Sequence, residues 1–241
     1  MSPFDQRILQ VTRTGVDVFA SPEIRQALRE RFDREHYLIL PRMFSAEMLE
    51  MLLDRVGAAV FEARNDNNIA REACMSDALT ESLILFLLNN PQLHRVLGEI
   101  TGIDGIGNFS GRVYRMNSTE GHYDSWHNDV KGDRVLTLSA NLSTREFQGG
   151  GLQLRRAGAS EILHEVRNTG LGDGLVFRIS RELEHRVLPV EGDAPKTALA
   201  GWFRPAESLH NLIRHANETQ SSGDDGGELP SVPPSRSAAS S

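Results

Sequence analysis

Residues 172–190 read GDGLVFRISRELEHRVLPV, and this stretch carries the first signal of the fold. The Gly-Asp-Gly triplet predicts a tight turn, and the apolar run after it predicts a short strand. A short polar loop follows, and His185 then begins a second strand. Short strands joined in this way are typical of a β-sandwich or jelly roll, in which strand ends converge around a mouth. His185 is therefore a candidate for a site at that mouth.

The character of the chain changes at about residue 107. From there the sequence consists of short, often alternating apolar runs separated by Gly, Asn, Asp and Pro, which predict seven or eight strands. These runs are GRVYRM, RVLTLSANLS, GLQLRR, EILHEV, GLVFRIS, RVLPV and TALAGWF. The residues before 107 read mainly as helices. Helices first and strands after predict an α+β fold, in which the helices pack on one face of a jelly-roll sheet.

The predicted helices have clear beginnings. Ser21 caps the run SPEIRQALRERF, and Ser45 caps the run AEMLEMLLDRVGAAVFEA. Two further helices are predicted in DALTESLILFLLNN and PQLHRVLGEITG, and a short strand is predicted in YLILPRMF. We therefore expect a helical layer over residues 1–106 and a β core over 107–216. Residues 217–241 lack periodicity and predict a disordered tail.

Composition excludes several classes of protein. A formal charge of −7 and a pI near 5.6 argue against a nucleic-acid partner, which would require a basic stripe. A single cysteine, Cys74, excludes a disulfide framework and a cysteine-based zinc cluster. We expect no membrane partner and a cytoplasmic location, since no run approaches 18 apolar residues and MSPFDQRILQ lacks the apolar core of a signal peptide. The oligomeric state is not indicated.

The stretch GHYDSWHND, residues 121–129, offers two candidate ligand pairs: His122 with Asp124, and His127 with Asp129. In an extended segment, residues two apart point the same way, so either pair can contact one metal ion. With a histidine from a later strand, such as His185, either pair completes a 2-His-1-carboxylate set. That set leaves coordination positions open and is typical of non-haem Fe(II) oxygenases. The residues alone leave both pairs possible.

A basic residue follows His185 at a useful distance. Lys196 lies eleven residues later and begins the strand TALAGWF. Alternation puts Lys196, Ala198, Ala200 and Trp202 on one face of that strand. If this face points inward, the two alanines leave room beside a buried cation with an aromatic wall, which suits a small dianion. Arg155 and Arg156 are further candidates for contact with an anionic substrate.

Together these motifs resemble the 2-oxoglutarate/Fe(II)-dependent oxygenases, most of all their prolyl-4-hydroxylase-like branch. That branch has a Tyr, a Gly with His-x-Asp six residues later, a Gly-Gly-x-Leu strand, Gly-Asp-x-x-x-Phe, His-x-Val, a basic residue and an aromatic pair. The corresponding residues here are Tyr114, Gly121, His127-Asn-Asp129, Gly149-Gly150-Gly151-Leu152, Gly172-Asp173 with Phe177, His185-Arg-Val187, Lys196 and Trp202-Phe203. The resemblance implies a double-stranded β-helix core.

The resemblance also implies roles. His127, Asp129 and His185 would bind Fe(II), because the spacing after Gly121 favours this pair over the earlier one. Lys196 would pair with the 5-carboxylate of 2-oxoglutarate, with Tyr114 as a hydrogen-bond donor and Trp202 as a wall of the pocket. The implied reaction uses O2, converts 2-oxoglutarate to succinate and CO2, and hydroxylates a C–H bond of a peptidyl, amino-acid-like or other small substrate.

Two residues depart from the family pattern. Tyr114 precedes His127 by thirteen residues, a longer spacing than the family usually has. Ala198 stands where relatives often have Ser or Thr, so one hydrogen bond to the distal carboxylate is missing. Strand parity prevents Thr197 from replacing it.

Two alternatives come from other classes. One is a non-catalytic jelly-roll module that keeps a metal ion as a structural element. The other is a cupin-like metalloenzyme that does not use 2-oxoglutarate, which would predict three histidine ligands and no inward base on the last strand. If His127 and Asp129 are the ligands, His122 and Asp124 are expected to form hydrogen bonds beside the site or to face solvent.

Overall fold

The structure is a computed structural model and describes residues 6–66 and 69–206. One large antiparallel sheet organises this part of the chain. The predicted tail, 217–241, and the last residues of the predicted core lie outside these ranges. Within them, no helix is both long and apolar enough to cross a lipid bilayer.

Four helices form as predicted, each beginning at a polar cap. They are α1 (Pro22–Glu35), α2 (Ala46–Ala58), α3 (Ala78–Leu88) and α4 (Pro91–Thr101). The Ser21 side chain accepts a hydrogen bond from the backbone N–H of Ile24, and Ser45 does the same for Met48. Asp77 and Asn90 cap α3 and α4 in the same way, so each helix begins where its sequence satisfies the free N–H groups.

The strands are short, and most pair antiparallel. In chain order they are β1 (Leu9–Val11), β2 (Val16–Val18), β3 (Tyr37–Leu40), β4 (Phe61–Asp66), β5 (Ala70–Met75), β6 (Ile106–Met116), β7 (Tyr123–Asp124), β8 (Leu136–Asn141), β9 (Gln148–Gly149), β10 (Leu152–Arg156), β11 (Ile162–Val166), β12 (Gly174–Arg178), β13 (Leu183–Val187), β14 (Val190–Glu191) and β15 (Lys196–Pro205).

Two sheets form the body of the jelly roll. The major sheet has the order β3-β12-β8-β15-β6-β5-β4, with β7 paired to β5 at one side. The minor sheet has the order β11-β10-β13. The two-stranded pairs β1-β2 and β9-β14 complete the pairing. The predicted jelly-roll core with an added helical layer is confirmed.

The first half of the chain is less purely helical than predicted. Strand β3 pairs with β12, and the hairpin of β4 and β5 extends the far edge of the major sheet. The helix predicted through the segment AVFEA instead ends at Ala58, and the chain turns into β4 at Phe61. Gly57 weakens the end of that helix, and pairing of Phe61 with Met75 stabilises the strand. The boundary between residues 106 and 107 stays a prediction.

The last strand, β15, separates the helical core from the inside of the roll. Its side chains alternate, and Leu199 and Phe203 are fully buried against the helices and β6. The Phe203 ring lies 4.9 Å from the Phe109 ring and contacts the His94 ring edge to face. The opposite face of β15 is therefore held toward the space between the two sheets.

The close approach of β6 and β15 depends on a glycine. Gly201 faces Gly111, and a Cβ added at Gly201 would lie 2.4 Å from the Ser110 carbonyl oxygen and 2.6 Å from the Phe109 ring. The Gly201→Ala variant is expected to unfold about 1–3 kcal/mol more easily, because overpacking forces the strands apart. Thermal denaturation should show a midpoint several degrees lower.

Gly57→Ala is the matched control, since a Cβ at Gly57 would meet no atom within 4 Å. In helix α2 this change should leave stability unchanged or raise it by up to about 1 kcal/mol. Equal midpoints for Gly201→Ala and the wild type would contradict the packing described for the two strands.

Candidate active site

A cavity of about 840 Å³ lies between the two sheets. The inward faces of β6, β8, β12 and β15 line one side, and residues of β10 and β13 line the other. The inward residues of β15 include Lys196, Ala198, Ala200 and Trp202, as alternation predicted. A cavity of this size accommodates an organic cosubstrate together with a second small molecule.

His127 and His185 face each other across the mouth of this cavity. The backbone N–H of His127 donates to the His185 carbonyl oxygen at 3.1 Å, and His185 N–H donates back at 2.9 Å. This isolated bridge ties the loop after β7 to β13 and places the two rings 4.3 Å apart. The two histidines, which are far apart in sequence, are thereby fixed as neighbours.

Asp129 completes a group that fits one metal ion. One of its carboxylate oxygens lies 3.8 Å from Nε2 of His127, and the other lies 3.4 Å from Nε2 of His185. One ligand atom from each of the three residues lies within 4.8 Å of the others. Two imidazoles and one carboxylate on one side of an ion leave further positions open, as non-haem Fe(II) chemistry requires.

The His127 ring is oriented by its neighbours. Its Nδ1 lies 2.7 Å from the Ser125 carbonyl oxygen, so Nδ1–H donates there and the lone pair of Nε2 faces Asp129. Asp124 Oδ1 lies 3.3 Å from the same Nδ1, and within the described ranges this buried oxygen has no hydrogen-bond partner. Burial raises the pKa of Asp124, and the positive charge of the histidines opposes this. Asp124 therefore lies beside Nδ1 of His127, on the side of the ring opposite Nε2.

Two donors hold the Asp129 carboxylate. Trp202 Nε1–H donates to Oδ2 at 2.6 Å, and Arg134 donates to Oδ1 at 3.1 Å. Burial acts to raise the pKa of Asp129, but hydrogen bonds from His185 and Trp202 outweigh it, and the pKa lies well below its usual range. The carboxylate is therefore ionised, which is the state that binds a metal.

His122 belongs to a different network. Its Nδ1 accepts a hydrogen bond from the backbone N–H of Asn117 at 3.1 Å, and its Nε2 lies 3.1 Å from the Glu120 carboxylate. Both ring nitrogens of His122 therefore contact Asn117 and Glu120, and neither contacts His185. The structure brings together His127 and Asp129 with His185, and does not bring His122 to them.

Lys196 lies at the other end of the inward face of β15. Its Nζ donates to the Gly150 carbonyl oxygen at 2.6 Å. Burial lowers the pKa of Lys196 to about 8, although the charge of Asp124 acts to raise it. Tyr114 lies opposite Ala198 on β6, and burial raises the pKa of its phenol, so the hydroxyl stays protonated and can donate. Lys196 and Tyr114 thus both line the cavity, at the end of β15 away from Trp202.

Trp202 lines the same cavity as Lys196, and its role as a wall of the cosubstrate pocket stays a prediction. It lies six positions along β15 from Lys196, which is about 20 Å of extended strand. Its indole donates to Asp129 instead of flanking the cation. The Trp202 ring is thus fixed beside the Asp129 carboxylate.

Several site residues could not be found from the sequence. Glu72 is buried and pairs with Arg112, whose Nε donates to it at 2.8 Å, and with Arg64 at 2.9 Å. Both Glu72 and Arg64 belong to the β4–β5 hairpin, where no strand was predicted. Arg134 lies in a loop five residues after Asp129, and a loop has no sequence periodicity from which its orientation could be predicted. Arg155, by contrast, pairs with Glu184 and stacks on Trp126, away from the cavity lining.

Comparisons with known proteins agree with this geometry. Residues 111–204 match the family model described as the 2OG-Fe(II) oxygenase superfamily. A search of curated proteins gives no match. Among solved structures, a prolyl-4-hydroxylase from Pseudomonas putida is 20% identical, covers 75% of this chain and 98% of its own, and superposes with a TM-score of 0.56.

Two other solved structures have the same fold. A prolyl hydroxylase from Trichoplax adhaerens, in complex with a hypoxia inducible factor peptide, is 18% identical over 78% of this chain and 91% of its own, with a TM-score of 0.57. The α-ketoglutarate-dependent epimerase SnoN from nogalamycin biosynthesis is 13% identical over 77% and 82%, with a TM-score of 0.56. At these identities the likeness establishes the fold alone.

Trp202→Phe tests the support of the Asp129 carboxylate. The change keeps an aromatic ring but removes the Nε1–H donor. We therefore expect metal affinity to fall about 10- to 100-fold. Anaerobic competition for Fe(II) against a chromogenic chelator measures this. Trp126→Phe is the control, since the Trp126 ring stacks with Arg155 and Arg186. Equal affinities for the two variants would contradict the role of the indole N–H.

Proposed function

We propose that this chain is a 2-oxoglutarate/Fe(II)-dependent dioxygenase, in which His127, Asp129 and His185 hold the iron and Lys196 holds the cosubstrate. The proposed reaction hydroxylates an unactivated C–H bond of a peptidyl, amino-acid-like or other small molecule. One observation carries the proposal: the ligand group and Lys196 open onto the same cavity. A cation and an open metal site in one enclosed space suit a dianion that also chelates.

The metal group fits Fe(II) by its donors. Bound iron, with 2-oxoglutarate and O2, supplies the oxidising chemistry that yields succinate, CO2 and a hydroxylated product. The protein keeps the Asp129 carboxylate ionised through Trp202 and Arg134, and it keeps the His127 proton on Nδ1 through the Ser125 carbonyl. Each residue thus presents a lone pair toward one point.

The cosubstrate pocket depends on the inward face of β15. Lys196 provides a positive charge in a largely apolar setting, where an ion pair is stronger than in water. The small side chains of Ala198 and Ala200 leave space between this charge and the metal ligands. Thr197 points to the other side, where its hydroxyl accepts from Arg115 at 3.2 Å, so it does not supply the hydroxyl that Ala198 lacks. The Tyr114 phenol, opposite Ala198 on β6, would be the replacement donor.

The two alternatives fit less well. A cupin-like site predicts three histidines, whereas the group here includes the carboxylate of Asp129. A purely structural metal site is closed, whereas this group faces a large cavity. The fold neighbours include both hydroxylases and an epimerase. We propose hydroxylation because the motif order most resembles the prolyl-hydroxylase branch.

Lys196→Met tests the cosubstrate assignment. The dissociation constant of 2-oxoglutarate should rise about 10- to 150-fold, because a charge-assisted hydrogen bond is lost. Calorimetric titration of 2-oxoglutarate into anaerobic, Fe(II)-loaded protein gives this constant. Arg156→Met is the control, since Arg156 is an exposed basic residue that does not line the cavity. An unchanged constant for Lys196→Met would rule out this residue as the carboxylate partner.

The pKa of Lys196 predicts the pH dependence of this binding. Burial lowers the pKa to about 8, so the unliganded site is cationic below that pH and neutral above it. We expect the dissociation constant of 2-oxoglutarate to be flat up to about pH 7.5 and then to rise toward tenfold per pH unit. Lys196→Arg, which stays charged, should give a flat profile. A wild-type dissociation constant that stays unchanged up to about pH 9.5 would show that Lys196 does not lose its proton in this pH range.

A further inference from the structure

Three arginines surround Trp202 at the end of the cavity away from Lys196. The guanidinium carbon of Arg134 lies 3.6 Å from the centre of the Trp202 ring, and that of Arg112 lies 5.5 Å from it. Arg204 follows Trp202 by two residues on the same inward face of β15 and bonds to Ser110 on β6. All three line the cavity, and we name them the arginine cluster.

The cluster has more positive charge than nearby carboxylates neutralise. Arg112 is paired with the buried Glu72. Arg134 contacts Asp129, but that carboxylate also belongs to the proposed metal site. Arg204 donates to the Gly132 carbonyl oxygen at 2.9 Å and to the Ser110 hydroxyl, and both acceptors are uncharged. Asp129, the carboxylate that Arg134 contacts, is thus one that a metal ion would also use, and the two acceptors of Arg204 carry no charge.

One donor of the cluster is left over. Within residues 6–66 and 69–206, the buried Nε of Arg134 has no hydrogen-bond partner. Burial lowers the pKa of Arg134, and the charges of Arg204 and Arg112 lower it further. An unpaired buried donor and neighbouring like charges both cost free energy, and one bound anion would relieve both.

From this geometry we propose that the primary substrate is a small carboxylic acid, whose carboxylate binds Arg134 and Arg204 beside Trp202. The inference rests on the proposed function, and it selects one class from the substrates allowed there. Guanidinium groups bind carboxylates through paired N–H donors, which fixes the orientation of the acid as well as its position.

The position of Arg134 limits the length of the substrate. Its guanidinium lies 3.1 Å from the Asp129 carboxylate, so an acid group on its free Nε sits close to the proposed metal ligands. The C–H bond that reacts must also lie beside those ligands. Only a few bonds can therefore separate the reacting carbon from the acid. A free acid, such as an amino acid derivative, meets this condition, whereas an internal peptide residue without an acidic side chain has no carboxylate there.

The same donors suit a second occupant, the carboxylate of 2-oxoglutarate that chelates the metal. In that case the cluster would serve the cosubstrate and not the substrate. The two readings differ in which dissociation constant depends on Arg204 and Arg134. Arg156, a sequence candidate for anion contact, is exposed on β10 and provides a matched control.

The experiment uses anaerobic protein loaded with Fe(II) and 2-oxoglutarate, with calorimetry as the readout. The probes are inorganic sulfate, inorganic phosphate, the N-acetyl derivatives of the common L-amino acids, and the primary amides of the same derivatives. We expect one or more acids to bind at least tenfold more tightly than the matching amide. Sulfate should bind more weakly at the same site and compete with the acid.

The variants assign the site. Arg204→Gln should weaken the acid at least tenfold and leave the dissociation constant of 2-oxoglutarate unchanged, and Arg156→Gln should change neither. The proposal is overturned if amides bind as well as acids, if neither sulfate nor any acid binds, or if phosphate binds more tightly than every acid. It is also overturned if Arg204→Gln weakens 2-oxoglutarate in place of the acid. Failure of 2-oxoglutarate itself to bind would instead refute the proposed function, while the sulfate titration would still report on the cluster.

Discussion

The site depends above all on the alternation of side chains along β15. Leu199 and Phe203 are fully buried against the helical layer, and this fixes which face of the strand points into the cavity. A slip by one residue would exchange the two faces and put the apolar core residues into the cavity. The burial of these apolar residues therefore sets the position of Lys196 and Trp202, although neither takes part in the helical core. Gly201 allows β6 to approach closely enough to keep that register.

A second constraint joins the loop after β7 to the minor sheet. The reciprocal backbone hydrogen bonds of His127 and His185 close the mouth of the jelly roll at one point. Around that point each polar group has a neighbour that orients it: Ser125 for His127, and Trp202 with Arg134 for Asp129. Buried polar groups are stable only when they are paired in this way. The fold thus preorganises donors toward one position and leaves one wall, beside the arginine cluster, with unmatched positive charge.

The sequence predicted what local chemistry encodes, and it failed where distant segments meet. The caps at Ser21 and Ser45, the strand periodicity after residue 107 and the inward face of β15 depend on near neighbours in the chain, and all were predicted. The hairpin of β4 and β5 was missed because its alternation is masked by charged residues, and it forms by pairing with β6. Glu72 could therefore not be placed beside Arg112. The bond from Trp202 to Asp129 spans 73 residues, so no local pattern could reveal it.

The central claim is that one facial group, His127 with Asp129 and His185, accepts iron and leaves positions for 2-oxoglutarate. Anaerobic visible spectroscopy tests it most directly, with Fe(II) added first and 2-oxoglutarate second. The account predicts a weak charge-transfer band that needs both additions, is lost in His127→Ala, and persists in His122→Ala, whose ring nitrogens bond to Asn117 and Glu120. A band that survives in His127→Ala but disappears in His122→Ala would contradict the account, as would its absence from wild-type protein that binds iron.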